Sequence, residues 1–172
     1  MTHAKVLIAL GANLPSRAGS PAVTLAAALS DIVARAGNIL RCSGLYESPA
    51  WPDPSDPPFV NLVALIETLH APDALLANFK VLEASFGRQD SARNAPRPLD
   101  IDILDYAGRV EHSAALTLPH PRLAERAFVL VPLTEILPDW IHPVSGLRAD
   151  ELLRRLPEVE RQAVRPVGVE KS

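Results

Sequence analysis

The chain has 172 residues, of which 48% are hydrophobic and 22% charged, and its formal net charge at pH 7 is −3. This length predicts a single domain over 1–172 with a substantial core, and the balance argues against disorder and against a basic nucleic-acid footprint. One cysteine, Cys42, excludes a disulfide framework or a cysteine-built metal site within one chain, and no apolar run reaches the length of a membrane span.

Residues 5–13, KVLIALGAN, form a compact apolar run that predicts a buried strand entering a turn. The run lacks the layout of a signal peptide, so the expected location is cytoplasmic. Ser20 as N-cap and Pro21 at the first helical position open a helix over 20–37, with Leu25, Leu29, Ile32 and Val33 at helical spacing and Gly37 closing it. Residues 38–48, NILRCSGLYES, predict a second strand with Cys42 as a small core residue. Five prolines within residues 49–59 then make a stiff loop.

FVNLVALIETLH (59–70) reads as a third strand, and Asp73 precedes an amphipathic helix over 74–87. A polar loop over 88–98 carries Arg88, Arg93 and Arg97, and PRPLDIDILDY (96–106) supplies a fourth strand. The order β-α-β-β-α-β predicts the α+β class: a ferredoxin-like split βαβ core with an antiparallel sheet and extra C-terminal elements. Residues 117–140 read as a further loop and 148–156 as a short helix.

The fourth strand poses the chemical question. Leu99, Ile101, Ile103 and Leu104 ask for a core, while Asp100, Asp102 and Asp105 avoid one. Alternation places Asp100 and Asp102 on one face, with Cα atoms about 6.6 Å apart. That spacing suits a solvated strand face, and it equally suits a pair that holds Mg²⁺, an ion needing only one or two carboxylates beside water and phosphate. Two such ions clamp both oxygens of an in-line phosphoryl displacement. Asp105 has the opposite parity and is expected as a turn or surface residue. Arg88, Arg93 and Arg97 beside the pair favour a metal-nucleotide over a merely solvated face. The chain has 14 Arg and 3 Lys, a bias compatible with polyanion recognition and also with Arg-rich codon usage. His120, Arg122 and Arg126 gather in TLPHPRLAERAF, and no glycine pattern of a P-loop occurs.

APRPLDIDIL resembles the signature of the 6-hydroxymethyl-7,8-dihydropterin pyrophosphokinase family. The resemblance spans nearly the whole chain through IALGANL, LYESPAW, FVNLVALIET and LTLPHPRLAERAFVLVPLTEILPD. It implies transfer of pyrophosphate from ATP to the pterin hydroxymethyl group in folate biosynthesis, with release of AMP, two Mg²⁺ ions and a monomeric enzyme. By resemblance, Asp100 and Asp102 hold both metals, and Arg88, Arg97 and His120 join them in catalysis. Ser48, Pro49, Trp51, Phe59, Asn61 and Phe128 carry over as pterin-binding positions. Leu76, Lys80, Glu83, Leu116, Thr117 and Arg126 carry over to the ATP side, where 76, 80 and 83 share a helix face.

The chain departs from the family's pattern in places. Its arginine loop is slightly short, Asn94 stands where a tryptophan is common, Asp90 falls near a usual basic position, and Ala115 replaces an arginine. The first two bear on how a lid seals, the others on ATP contacts. Read without the resemblance, the residues also fit a Mg²⁺-dependent phosphohydrolase or nucleotidyltransferase, or a non-catalytic ferredoxin-like binding module.

Overall fold

A computed structural model describes residues 2–89 and 94–168. Arg93 and Asp90, both singled out above, lie outside the described residues. The first half runs β1 (Ala4–Ala12), α1 (Pro21–Arg35), β2 (Asn38–Cys42), β3 (Tyr46–Ser48), β4 (Phe59–Thr68), α2 (Pro72–Ser85) and β5 (Asp100–Tyr106). β1 pairs antiparallel with β4 on one side and β5 on the other, and β4 carries β2 and β3 on its far edge. This is the expected split βαβ arrangement. The second half adds β6 (Glu111–His112), β7 (Thr117–Leu118), a 3₁₀ turn (Leu123–Glu125), α3 (Ala127–Ile136), α4 (Ala149–Arg154), α5 (Glu158–Gln162) and β8 (Arg165–Pro166).

Strand alternation builds three layers. Val6, Ile8, Leu10, Leu62, Ile66, Ile101 and Ile103 leave one sheet face and pack on Leu25 and Ile32 of α1 and Leu75, Phe79 and Leu82 of α2. Leu7, Val63 and Leu104 leave the other and meet Val129, Leu130 and Leu133 of α3 and Leu152 of α4. Each such side chain contributes roughly 1.5–3 kcal/mol on burial, so both faces are firmly seated. Ser20 caps α1 through its hydroxyl, which accepts from the Val23 amide, with Pro21 following as the pattern predicts. α2 begins slightly earlier than expected, with Pro72 at its start and Asp73 inside its first turn, where a carboxylate meets the positive end of the helix.

Several expectations are corrected. Residues 117–140 are not one loop, because α3 lies within them. AFVLVPLTEI is buried between the sheet and α4, so it carries no amphipathic stripe, and Pro132 inside it reads as a breaker. The second strand is broken into β2 and β3 around Ser43, whose hydroxyl accepts from the Val63 amide at 3.0 Å. Cys42 is exposed rather than a core residue, because β2 pairs with β4 alone and lies at the sheet edge. Val33 is likewise exposed on the outer side of α1.

Asp105 is also corrected. β1 pairs Leu7 with Asp105 but Ile8 with Ile103, so Leu104 is an extra residue on β5. This bulge turns Asp105 to the face of Leu104. There it is buried, accepting from the Trp140 indole at 3.1 Å, while its other oxygen accepts from the Gly108 amide and closes the turn. The turn role holds and the surface role does not.

Gly37 sits where the chain leaves α1 beneath β4, and a Cβ there would lie 2.3 Å from the Glu67 carbonyl oxygen. Gly37→Ala is expected to destabilise the protein by about 1–3 kcal/mol in urea unfolding. Gly44→Ala, whose Cβ would first meet the Glu135 side chain at 3.5 Å, is expected to change it by no more than about 0.5 kcal/mol. Equal effects would contradict this packing.

Candidate active site

Strand register creates the site floor on the α3 side of the sheet. Gly11 of β1 lies between Asp100 of β5 and Asn61 of β4, and one step along, Ala9 lies between Asp102 and Val63. The two central residues are small, so the carboxylates on one side and the Asn61 amide on the other face a shared space. A Cβ on Gly11 would press on Asn61 Oδ1 at 3.2 Å and touch the Phe59 ring at 3.7 Å.

A cavity of about 450 Å³ stands on this floor. Ser48, Pro49, Trp51, Phe59, Asn61 and Phe128 line it, together with Arg97, Asp100, Asp102 and Arg126. Asn61 donates to the Ser48 hydroxyl at 2.8 Å, which fixes its amide inside the buried wall. Asn94 also lines the cavity, at φ 64°, a left-handed backbone that asparagine tolerates better than most residues.

Asn13 ties the surrounding segments together. Its amide donates to the Arg97 carbonyl at 3.1 Å, its side-chain oxygen accepts from the Arg97 amide at 2.8 Å, and its Nδ2 donates to Pro57 of the proline-rich loop at 3.0 Å.

The acidic pair is held by arginines. Arg88 bridges Glu83 and Asp100, reaching Asp100 Oδ1 at 2.5 Å, and Arg97 Nη1 lies 3.5 Å from the same oxygen. Arg126 stands 4.0 Å from Asp102. Glu83 Oε2 accepts from the Ile101 amide at 2.9 Å, so a buried helix carboxylate pins β5 between the two aspartates. Burial, with Asp100 nearby, pushes both Glu83 and Asp102 up to about 7. Negative charge is thus crowded at this end of β5 and favours a cationic partner. Among the described residues no group of three or more His, Cys, Asp and Glu is placed to hold a metal. Two carboxylates beside an open cavity do fit Mg²⁺, whose remaining shell is filled by water and phosphate.

Comparison with known proteins decides the family. Residues 7–138 match the model of 7,8-dihydro-6-hydroxymethylpterin-pyrophosphokinase. The chain belongs to this family. A 2-amino-4-hydroxy-6-hydroxymethyldihydropteridine pyrophosphokinase of Synechocystis sp. is 36% identical over 94% of this chain and 80% of its own length. One of Methylorubrum extorquens is 37% identical over 88% and 93%. The fold is similar to a Plasmodium falciparum HPPK-DHPS structure with pteroate, with a TM-score of 0.70 at 14% identity. That likeness covers 89% of this chain and 44% of the longer one, and it speaks for the fold. Membership of the pyrophosphokinase family carries its activity, transfer of pyrophosphate to a hydroxymethyl dihydropterin in folate biosynthesis, with ATP as donor.

The pyrophosphokinase site divides unevenly among the expected residues. The six positions expected to bind pterin share the cavity wall, whereas Leu76, Lys80, Glu83, Leu116, Thr117, Arg88 and His120 stand outside it. On α2, Lys80 is exposed, Leu76 packs against the core and Glu83 turns inward to β5, so the three differ in surroundings despite a common helix face. β7, carrying Thr117, packs beside β5, and the His120 amide donates to the Leu104 carbonyl at 2.8 Å. These residues flank the open edge of β5.

Other wall residues were not assigned from sequence. Gly11 lies in IALGANL, a block that marks the family without showing what its residues do, and Asn13 of the same block ties the surrounding loops without lining the cavity. Arg122, noticed but left without a role, places its guanidinium 5.3 Å from the Trp51 ring. Glu160, Ala163 and Val164 also line the cavity, and no motif points to them.

His120 supplies a pH test. Its Nδ1 accepts from the Arg122 amide at 3.2 Å, which leaves the proton on Nε2, and burial beside Arg126 pushes its pKa down to about 4 from 6.5. Between those values the unfolded chain protonates His120 and the folded one resists, so this residue lowers stability as pH falls. In urea unfolding, the stability difference between wild type and His120→Asn is expected to be constant above pH 6.5 and to shift against wild type towards pH 4. A difference independent of pH would contradict a buried, neutral His120.

Proposed function

We propose that this cavity holds the pterin, that the nucleotide lies along the open edge of β5, and that transfer takes place where they meet at Asp100 and Asp102. The observation that carries this reading is the acidic pair itself, set at the end of a cavity whose other walls are aromatic and amide. Phe59, Phe128 and Trp51 offer apolar faces to a flat heterocycle, and Asn61 beside Ser48 offers donor and acceptor atoms to its edge.

Asp100 and Asp102 are the residues that would hold Mg²⁺, taken here as two ions. Mg²⁺ bound there supplies charge neutralisation and polarisation of the phosphoryl oxygens. The chain's own groups orient the reactants. Arg88 and Arg97 present guanidinium groups at Asp100, and Arg126 does so near Asp102, where phosphate oxygens of ATP would gather. Neutral His120 donates Nε2–H to the same anionic chain. The pterin hydroxymethyl oxygen attacks the β-phosphorus and forms the new P–O bond. The bond from that phosphorus to the oxygen bridging the α-phosphate breaks, AMP departs with that oxygen, and the hydroxyl proton passes to solvent. Leu76, Lys80, Leu116 and Thr117 border the nucleotide, while Glu83 acts by holding Arg88 and β5.

The working form is a single-domain monomer over 1–172, located in the cytoplasm and needing neither nucleic acid nor membrane. Among the described residues no helix is long and apolar enough to cross a membrane.

Incubation with ATP, Mg²⁺ and 6-hydroxymethyl-7,8-dihydropterin is expected to give AMP and pterin diphosphate in equal amounts. Hydrolysis of ATP that ignores the pterin would contradict the reading. Asp102→Asn is expected to lower turnover by about 10²-fold or more. It should leave the melting temperature unchanged or higher, because one of two crowded like charges is gone. Asp100→Asn should lower both, because it also removes one of the two carboxylates that hold Arg88.

A further inference from the structure

The match to the family model ends at residue 138, yet the cavity wall does not. Ala163 and Val164 line it, and Glu160 stands with them at the rim. All three belong to the segment that runs from α5 through β8. We infer that this segment, residues 158–168, is a working wall of the pterin pocket that sets how large a ring edge the pocket accepts. The inference rests on the reading of the cavity proposed above.

Two attachments place the segment. β8 pairs antiparallel with β3, setting Pro166 opposite Tyr46 and Arg165 opposite Glu47, and the Val167 amide donates to the Leu45 carbonyl at 2.9 Å. β3 is the strand that delivers Ser48 to the cavity and whose next residue is Pro49. On the other side α5 packs against α3, whose first residues, Ala127 and Phe128, line the same cavity. The segment therefore spans from the Ser48 wall to the Phe128 wall and closes the gap between them.

Its chemistry suits that task. Val164, just past α5, is buried, whereas α5 itself has no buried residue and its Val159 is exposed. Ala163 and Val164 are small, so the space in front of them is part of the pocket's capacity. Enlarging Ala163 fills it from the segment side while leaving Asn61, Ser48 and the acidic pair untouched. Specificity against bulkier ring edges then comes from a steric limit, which is worth about 10- to 200-fold per methylene-sized mismatch.

The test uses the full chain with Cys42→Ser, so that an introduced thiol is the sole one. In the Ala163→Cys form, alkylation is followed with Mg²⁺ and a non-hydrolysable ATP analogue, with and without 6-hydroxymethyl-7,8-dihydropterin. The pterin is expected to slow labelling at least tenfold, while a Val159→Cys form is labelled equally fast in both conditions. In parallel, Ala163→Phe is expected to weaken pterin binding, read by pterin fluorescence, at least tenfold with nucleotide affinity within twofold of wild type, and Ala163→Ser to restore it. Labelling of the Ala163→Cys form that the pterin does not slow, together with lost pterin binding in Asn61→Ala, would overturn the wall and leave the cavity assignment standing. Undiminished pterin binding in Asn61→Ala would overturn the cavity assignment and the wall with it. Because the labelling arm needs only a small substitution, a failure of Ala163→Phe to fold does not shield the inference.

Discussion

Two carboxylates of like charge, one alternation apart on an edge strand, are the constraint that shapes this protein. Asp100 and Asp102 repel each other, and burial adds to the cost of charging Asp102. The fold answers with fixed cations on several sides. Arg88 comes from just past the end of α2, Arg97 from the loop before β5 and Arg126 from the start of α3. Glu83 then holds both Arg88 and the backbone between the aspartates. The crowding is relieved without being cancelled, and on the proposed reading that residual negative field is what a metal-nucleotide would meet.

The rest of the sheet serves this arrangement by being rigid on one face and sparse on the other. Leu99, Ile101 and Ile103 are buried against α1 and α2, so β5 cannot shift under the charges that it carries. On the cavity face, Gly11 and Ala9 keep the neighbouring strand low, and the space that they leave becomes the cavity floor. Asn13 links the loop before β5 to the proline-rich loop, so the arginine end and the aromatic end of the cavity share one support. The bulge at Leu104 ends the site. Beyond it Asp105 is spent on Trp140 and a turn.

Much of the fold was legible because local signals agreed with packing. Ser20 and Pro21 announce α1, and the alternation of Asp100 and Asp102 survives intact in β5. Local signals failed where burial is not one-sided or where a strand slips. α3 is covered by the sheet and α4, so its run of apolar residues has no period to read. Cys42 looks like a core residue until the topology puts β2 at an edge, and the parity of Asp105 holds only without the bulge. The site was less legible than the fold. Spacing raises Asp100 and Asp102 as a metal pair and the neighbouring arginines strengthen it, but the family resemblance decides it, and Ser48, Asn61 and Phe128 are reached through that resemblance alone. Gly11 and Ala163 line the cavity by having no side chain and a small one, and neither leaves a chemical signature in a sequence.

The central claim is that pterin and nucleotide meet at the acidic pair on β5. A crystal structure of the protein with Mg²⁺, a non-hydrolysable ATP analogue and 6-hydroxymethyl-7,8-dihydropterin tests it most directly. The account predicts the pterin ring against Asn61, with its hydroxymethyl oxygen and the β-phosphate both turned towards Asp100 and Asp102. Phosphates bound away from β5, or a pterin seated outside the cavity, would contradict it.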